Sequence, residues 1–158
     1  MYAGFLVGHE WDAAVLLDSD EEGEKARKKI TDLYLKEGAE RSKFRVLMLG
    51  KAAGISKTDS AVEDLFPDEF YLDCVNAAYG TSINMSDLPI DGSTMITKRV
   101  EHVLKTRFGR DKLDKGKIMN QFLKHFDSWD DASKLPPGTA DRAEKLFKSI
   151  NAAFAEHT

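Results

Sequence analysis

The sequence predicts an α/β fold: a partial, Rossmann-like parallel sheet at the front, then an all-helical C-terminal region. Two observations lead there. Residues 12–49 run strand, helix, strand, with a short apolar stretch at each end and a charged helix between. From residue 95 onward, apolar residues recur only at helical spacing. The expected organisation is an α/β portion over 1–80, a connecting loop over 81–94 and a helical subdomain over 95–158.

Each element has a local reason. Residues 12–17 are short, apolar and ended by turn-type residues, as a buried strand should be. From Glu21 the spacing of Ala26, Ile30, Leu33 and Tyr34 makes one apolar helix face. Glu21, Glu22 and Glu24 suit the positive end of its dipole, and Gly38 is the expected stop. Phe44 to Leu49 reads as a second strand closed by Gly50, parallel to the first by default. Residues 51–61 read as a polar loop, and Val62 to Pro67 as a short strand or turn. Pro67 then opens a helix to about Tyr79. Pro89 and Gly92 mark the loop before a helix over Met95 to Phe108, with Ile96, Val100, Val103 and Leu104 inward. A helix over Lys117 to Phe126 turns Ile118, Phe122 and Phe126 inward. After Pro136-Pro137-Gly138, a helix over Thr139 to Ala155 turns in Ala143, Leu146, Phe147, Ile150 and Phe154.

At 158 residues, 42% hydrophobic and 32% charged, the chain suits one globular domain or two small halves on a shared core. No apolar run approaches the roughly 20 residues of a membrane span, and residues 1–12 lack the pattern of a secretory leader. A single cysteine, Cys74, permits no internal disulfide; together these point to a cytoplasmic protein without a membrane partner. Residues 95–125 hold nine basic residues against three acidic, a net +6. The remainder of the chain then carries −10 of its overall −4. Either amphipathic helices show charged outer faces there, or the basic stretch holds a polyanion while the carboxylates elsewhere hold cations.

Two acidic pairs could carry chemistry. Asp18 and Asp20 close the first strand, where open α/β sheets place their ligands. Side chains at i and i+2 can reach one hard cation such as Mg²⁺; the plain alternative is a turn or a helix N-cap. Glu63-Asp64 is flanked by Val62, Leu65 and Phe66, where burial of charge needs a cation or donors to offset it. Lys117, at a helix start, can reach a phosphate, or can be a surface lysine. Other apparent motifs fail. Gly54 is separated from Lys57-Thr58 by Ile55 and Ser56, so no phosphate-binding P-loop forms. His9, His102, His125 and His157 have no metal-ligand spacing, and Cys74 reads as a buried small hydrophobe.

Taken together, Val15-Leu16-Leu17-Asp18-Ser19-Asp20-Glu21-Glu22-Gly23, the strand over 44–49 and Val62-Glu63-Asp64-Leu65-Phe66-Pro67 resemble the Toprim domain of OLD-family (overcoming lysogenization defect) endonucleases. Lys117, in Lys115-Gly116-Lys117-Ile118-Met119, is the best match to the lysine before that family's amphipathic helix. The resemblance covers most of the chain, being strong over 12–24 and 62–67 and loose after residue 95. It implies a DNA endonuclease region with Mg²⁺ or Mn²⁺ as cofactor, two ions, and DNA as partner. Asp18, Asp20, Glu63 and Asp64 would be metal ligands, and Asp18, Asp20 and Lys117 catalytic. Lys98, Arg99, Lys105, Arg107, Arg110, Lys112, Lys115 and Lys124 would track the phosphates. It also implies an ABC-type ATPase domain in the full-length protein.

One departure from that pattern is plain. Toprim domains open with a strand ending in Glu-Gly well before the acidic pair, and only 17 residues precede Asp18. Glu10 does not match that motif. The chain is therefore expected to be the C-terminal part of a longer nuclease. The competing expectation is a catalytically incomplete module that binds DNA or metal, or serves assembly. A third is another α/β enzyme, primase-like or phosphatase-like, using Asp18.

Overall fold

A computed structural model describes residues 13–34 and 44–155. Strand β1 (Ala13–Leu17) pairs in parallel with β2 (Phe44–Met48), Val15 opposite Val46 and Leu17 opposite Met48. Helix α1 (Glu21–Tyr34) connects them in sequence, so the strand–helix–strand unit is present as the periodicity required. Residue 12, the Gly38 stop, Glu10, His9 and His157 lie outside the described residues.

The second strand stops one residue earlier than its apolar run. Leu49 opens a short helix, α2 (Leu49–Ala53), and Gly50 lies inside it. The Ser19 hydroxyl accepts from the Gly50 amide at 2.8 Å. A Cβ on Gly50 would come within 2.6 Å of the Ser60 Oγ and 2.9 Å of the Ser19 Oγ. Only glycine lets the chain bend from strand to helix so close to these two serines. Gly54 ends the helix at φ 65°, where a side chain is disfavoured. The expected loop over 51–61 therefore begins as helix.

The Val62 to Pro67 stretch, expected as a strand or turn, is a 3₁₀ helix over Val62–Leu65. Its strand-like pairing is confined to one residue before it: Ser19 and Ser60 exchange backbone hydrogen bonds of 2.8 Å each way in an isolated antiparallel bridge. The Asp64 side chain then reaches back to the Ala61 amide at 2.8 Å and winds the next residues into a turn.

Helices α3 (Asp68–Tyr79), α4 (Ile96–Phe108), α5 (Lys115–Phe126) and α6 (Thr139–Ala155) follow. Between α3 and α4, Asn76 holds the loop by accepting from the Ile83 amide and donating to its carbonyl, both at 2.8 Å. The main core joins Tyr71, Leu72 and Val75 of α3 to Val100 and Leu104 of α4 and to Ile118 and Phe122 of α5. A smaller core sets Leu49, Ala52 and Ala53 of α2 against Leu146 of α6. Each core mixes residues from before and after the 81–94 loop. Burying a large aliphatic or aromatic side chain contributes about 1.5–3 kcal/mol, so both parts of the chain stabilise each other.

The α4 face is buried as its spacing predicts, and Cys74 is buried, its thiol pushed up to about 11 by burial. Two other faces differ. Phe126 of α5 and Phe147 of α6 are 52% and 62% exposed. On α6 the inward line runs through Leu146, Ile150 and Ala153, which face α2, β1 and the 3₁₀ helix. Among the described residues, no helix is long and apolar enough to cross a membrane.

Candidate functional site at the end of the first strand

The carboxyl end of β1 brings the two acidic pairs into one electrostatic neighbourhood. Asp20 is the N-cap residue of α1: one oxygen accepts from the Gly23 amide at 2.8 Å, the other from the Lys98 ammonium at 3.1 Å. Both contacts, the backbone one most, hold its carboxyl below the usual range. Gly23 is required here, since a Cβ would collide with the backbone carbonyl of Asp18.

Asp18 is different. It faces solvent and accepts no hydrogen bond among the described residues. Partial burial raises its carboxyl above the ordinary value, and the charges of Glu63 and Asp20 raise it further, against the opposing pull of Lys115. Like charges crowd this end of the strand.

Glu63 sits on the 3₁₀ helix. Its Oε1 pairs with the Lys115 ammonium at 2.7 Å, while its Oε2 is buried and has no hydrogen-bond partner. The bond to Glu63 raises the Lys115 ammonium in turn. Asp64, one residue on, is only 1% exposed and fully engaged. It accepts from Lys57, from the Ala61 amide and from the Ile96 amide at the start of α4, the last at 3.2 Å. Lys57 also pairs with Asp68, which Arg99 holds at 3.3 Å from the other side. Asp64 thus ties the 3₁₀ helix to α4 and sits in a lysine–arginine network of its own.

The expected basic surface is partly spent on such pairs. Lys98 and Lys115 hold Asp20 and Glu63; Arg99 holds Asp68 and the Pro89 carbonyl; Arg107 pairs with Asp87 at 2.7 Å. Arg110 lies over the Tyr79 ring at 5.1 Å, and Lys124 donates to Gln121. Lys105, Lys112 and Lys117 point to solvent. The backbone amide of Lys117 is capped by Asp114, at 3.1 Å, and it is Lys115, two residues earlier, that pairs with Glu63. Sequence reasoning gave Lys57 and Tyr71 no role; nothing in their spacing distinguishes them from surface and core residues.

The available donors are acceptor-only oxygens, the type Mg²⁺ and Mn²⁺ prefer. Among the described residues no three carboxylate, histidine or cysteine side chains converge on one point. The Asp18 carboxylate, exposed and without a hydrogen bond among the described residues, fits one hard cation that keeps waters on its other positions, in the field of Glu63. Asp64, with every oxygen committed, does not. No protein-family model, curated protein or solved structure matches the chain.

Proposed function

We propose that the chain is a metal-dependent nuclease region of Toprim type, resembling the OLD-family endonucleases. Asp18 and Glu63 hold a divalent cation, with Asp20 as a supporting ligand once Lys98 releases it. The observation that carries this reading is the exposed Asp18 carboxylate, free of hydrogen bonds among the described residues, at a strand end and in the field of Glu63. A bound divalent ion supplies Lewis-acid activation of a phosphodiester. Asp18 and Glu63 orient it, while Lys98 and Lys115, freed from their carboxylates, move to phosphate oxygens and offset their charge. One ion, rather than two, matches the free oxygens.

Titration of Mn²⁺ into the wild type and into Asp18→Ala/Glu63→Gln tests the site. Loss of binding in the variant, together with Mn²⁺-dependent conversion of plasmid DNA by the wild type alone, is the expected result. Equal or absent binding in both proteins would sink it.

A second reading rests on a different observation. Asp20, Glu63 and Asp64 each already hold a lysine. On that reading the chain is a binding or assembly module that takes metal or DNA without turnover. It predicts Mn²⁺ binding with no plasmid conversion at any Mn²⁺ concentration.

A further inference from the structure

We propose that the two ion pairs at this site, Lys98 with Asp20 and Lys115 with Glu63, form an autoinhibitory clasp: they withhold two lysines from nucleic-acid phosphates until a divalent cation takes the carboxylates. Cation and polyanion then bind with positive coupling. The identity of both ligands rests on the nuclease reading above.

The competition is at single atoms. Asp20 gives Oδ1 to the Gly23 amide at 2.8 Å and Oδ2 to the Lys98 ammonium at 3.1 Å. The Oε2 of Glu63 is buried, so a cation reaches that side chain only at Oε1, where Lys115 lies at 2.7 Å. On both side chains the oxygen left for a metal ion already holds an ammonium.

The fold also decides which partner moves. The side chains of Asp20 and Glu63 are 12% and 15% exposed, the first fixed as an N-cap and the second carried on the 3₁₀ helix. Those of Lys98 and Lys115 are 47% and 69% exposed, on long flexible stems. Exposed lysine pairs of this kind stabilise little. When a cation neutralises the carboxylates, it is the lysines that swing away.

Charge gives the sign of the coupling. Three carboxylates, Asp18, Asp20 and Glu63, against two ammoniums, Lys98 and Lys115, leave a net −1, which repels a phosphodiester. One divalent cation turns that to +1. Neighbouring Asp64 and Asp68 are balanced by Lys57 and Arg99 and leave the sum unaltered. The released lysines join others already in solvent. Lys98 lies two turns from Lys105 on one side of α4, and Lys115 falls between Lys112 and Lys117 in the chain.

The test reads the salt dependence of DNA binding. Anisotropy of a short end-labelled duplex is measured with the full chain over a range of KCl in excess EDTA. The proteins are the wild type, Asp20→Asn/Glu63→Gln, Lys98→Gln/Lys115→Gln and the variant combining all four. Asparagine keeps the N-cap acceptor, and circular dichroism verifies each fold. Each lysine that gains a phosphate steepens log K against log [salt] by about 0.9. The carboxylate variant should therefore be steeper than the wild type by about 1.8 and bind about tenfold more tightly. Against the lysine variant, the combined variant should show no steepening, because no lysine is left to release. Calorimetric titration of Mn²⁺ without DNA reads the other side: Lys98→Gln/Lys115→Gln should bind it about tenfold more tightly than the wild type. The same charge change at the exposed Lys51 and Lys145 should not. No duplex binding by any protein, an unchanged slope in Asp20→Asn/Glu63→Gln, a steepening that persists without the two lysines, or equal Mn²⁺ affinity in the wild type and Lys98→Gln/Lys115→Gln would overturn the proposal. Mn²⁺ binding to none of the proteins removes the metal reading and the cation's part in the coupling with it, a result read apart from the slopes, which are taken without metal.

Discussion

Glu63 and Asp64 are adjacent acids that the fold treats in opposite ways. Asp64 points inward, where two backbone amides and Lys57 satisfy it, and it joins the 3₁₀ helix to the start of α4. Glu63 has one oxygen on a solvent-facing lysine and the other buried with no partner. A buried charge with its donors in place holds structure together. Within a single dipeptide, one carboxylate has all its acceptors filled and the other keeps an oxygen without a partner.

The largest effect that would break this contrast is on the structural side. Asp64→Ala strands Lys57 beside Asp68 and leaves the Ala61 and Ile96 amides without their acceptor, and should cost about 3–5 kcal/mol in urea unfolding. A loss no greater than that of Glu63→Gln would place both acids in the same class. Next comes the turn that aims Asp18 and Asp20. Gly23→Ala forces a Cβ onto the Asp18 carbonyl, and a loss of about 1–3 kcal/mol, seen as a lowered melting temperature, outweighs alanine's better helix propensity.

Two smaller effects sharpen the contrast by pH. Asp20→Ala removes an N-cap and should cost about 1 kcal/mol. Because the fold holds the Asp20 carboxyl below its ordinary value of 3.8, that contribution is full above pH 3.8 and is lost as pH falls through the folded value. Asp18 has the reverse sign. Its carboxyl is raised in the fold, so its charged form is disfavoured, and the cost sets in as pH rises from 3.8 through the raised value. Asp18→Asn should therefore gain stability, less than about 1 kcal/mol after solvent screening, above that window and nothing below it. A chemical-denaturation series from pH 3 to 7 reads both; a stabilising Asp20→Ala or a destabilising Asp18→Asn would reverse their assignment. Saturating Mn²⁺ should erase the Asp18→Asn advantage, because the wild type then gains the ion's binding energy.

What the sequence determined by itself is what depends on spacing along the chain. The strand–helix–strand unit and the helices over 68–79, 96–108 and 139–155 follow from local periodicity and from Pro67. The acidic residues at the end of β1 were legible for the same reason. What escaped depends on groups far apart in sequence. Gly50 bends into a helix because Ser19, 31 residues away, caps its amide. Val62–Leu65 coils because Asp64 bonds backward and then forward to Ile96, 32 residues on. Phe126 and Phe147 look like core by spacing and stay half in solvent because no element among the described residues covers them. Sequence could place a carboxylate at the end of a strand. Only the tertiary structure decided which lysine would neutralise it and which oxygen would be left without a partner, because that depends on which helices pack nearby.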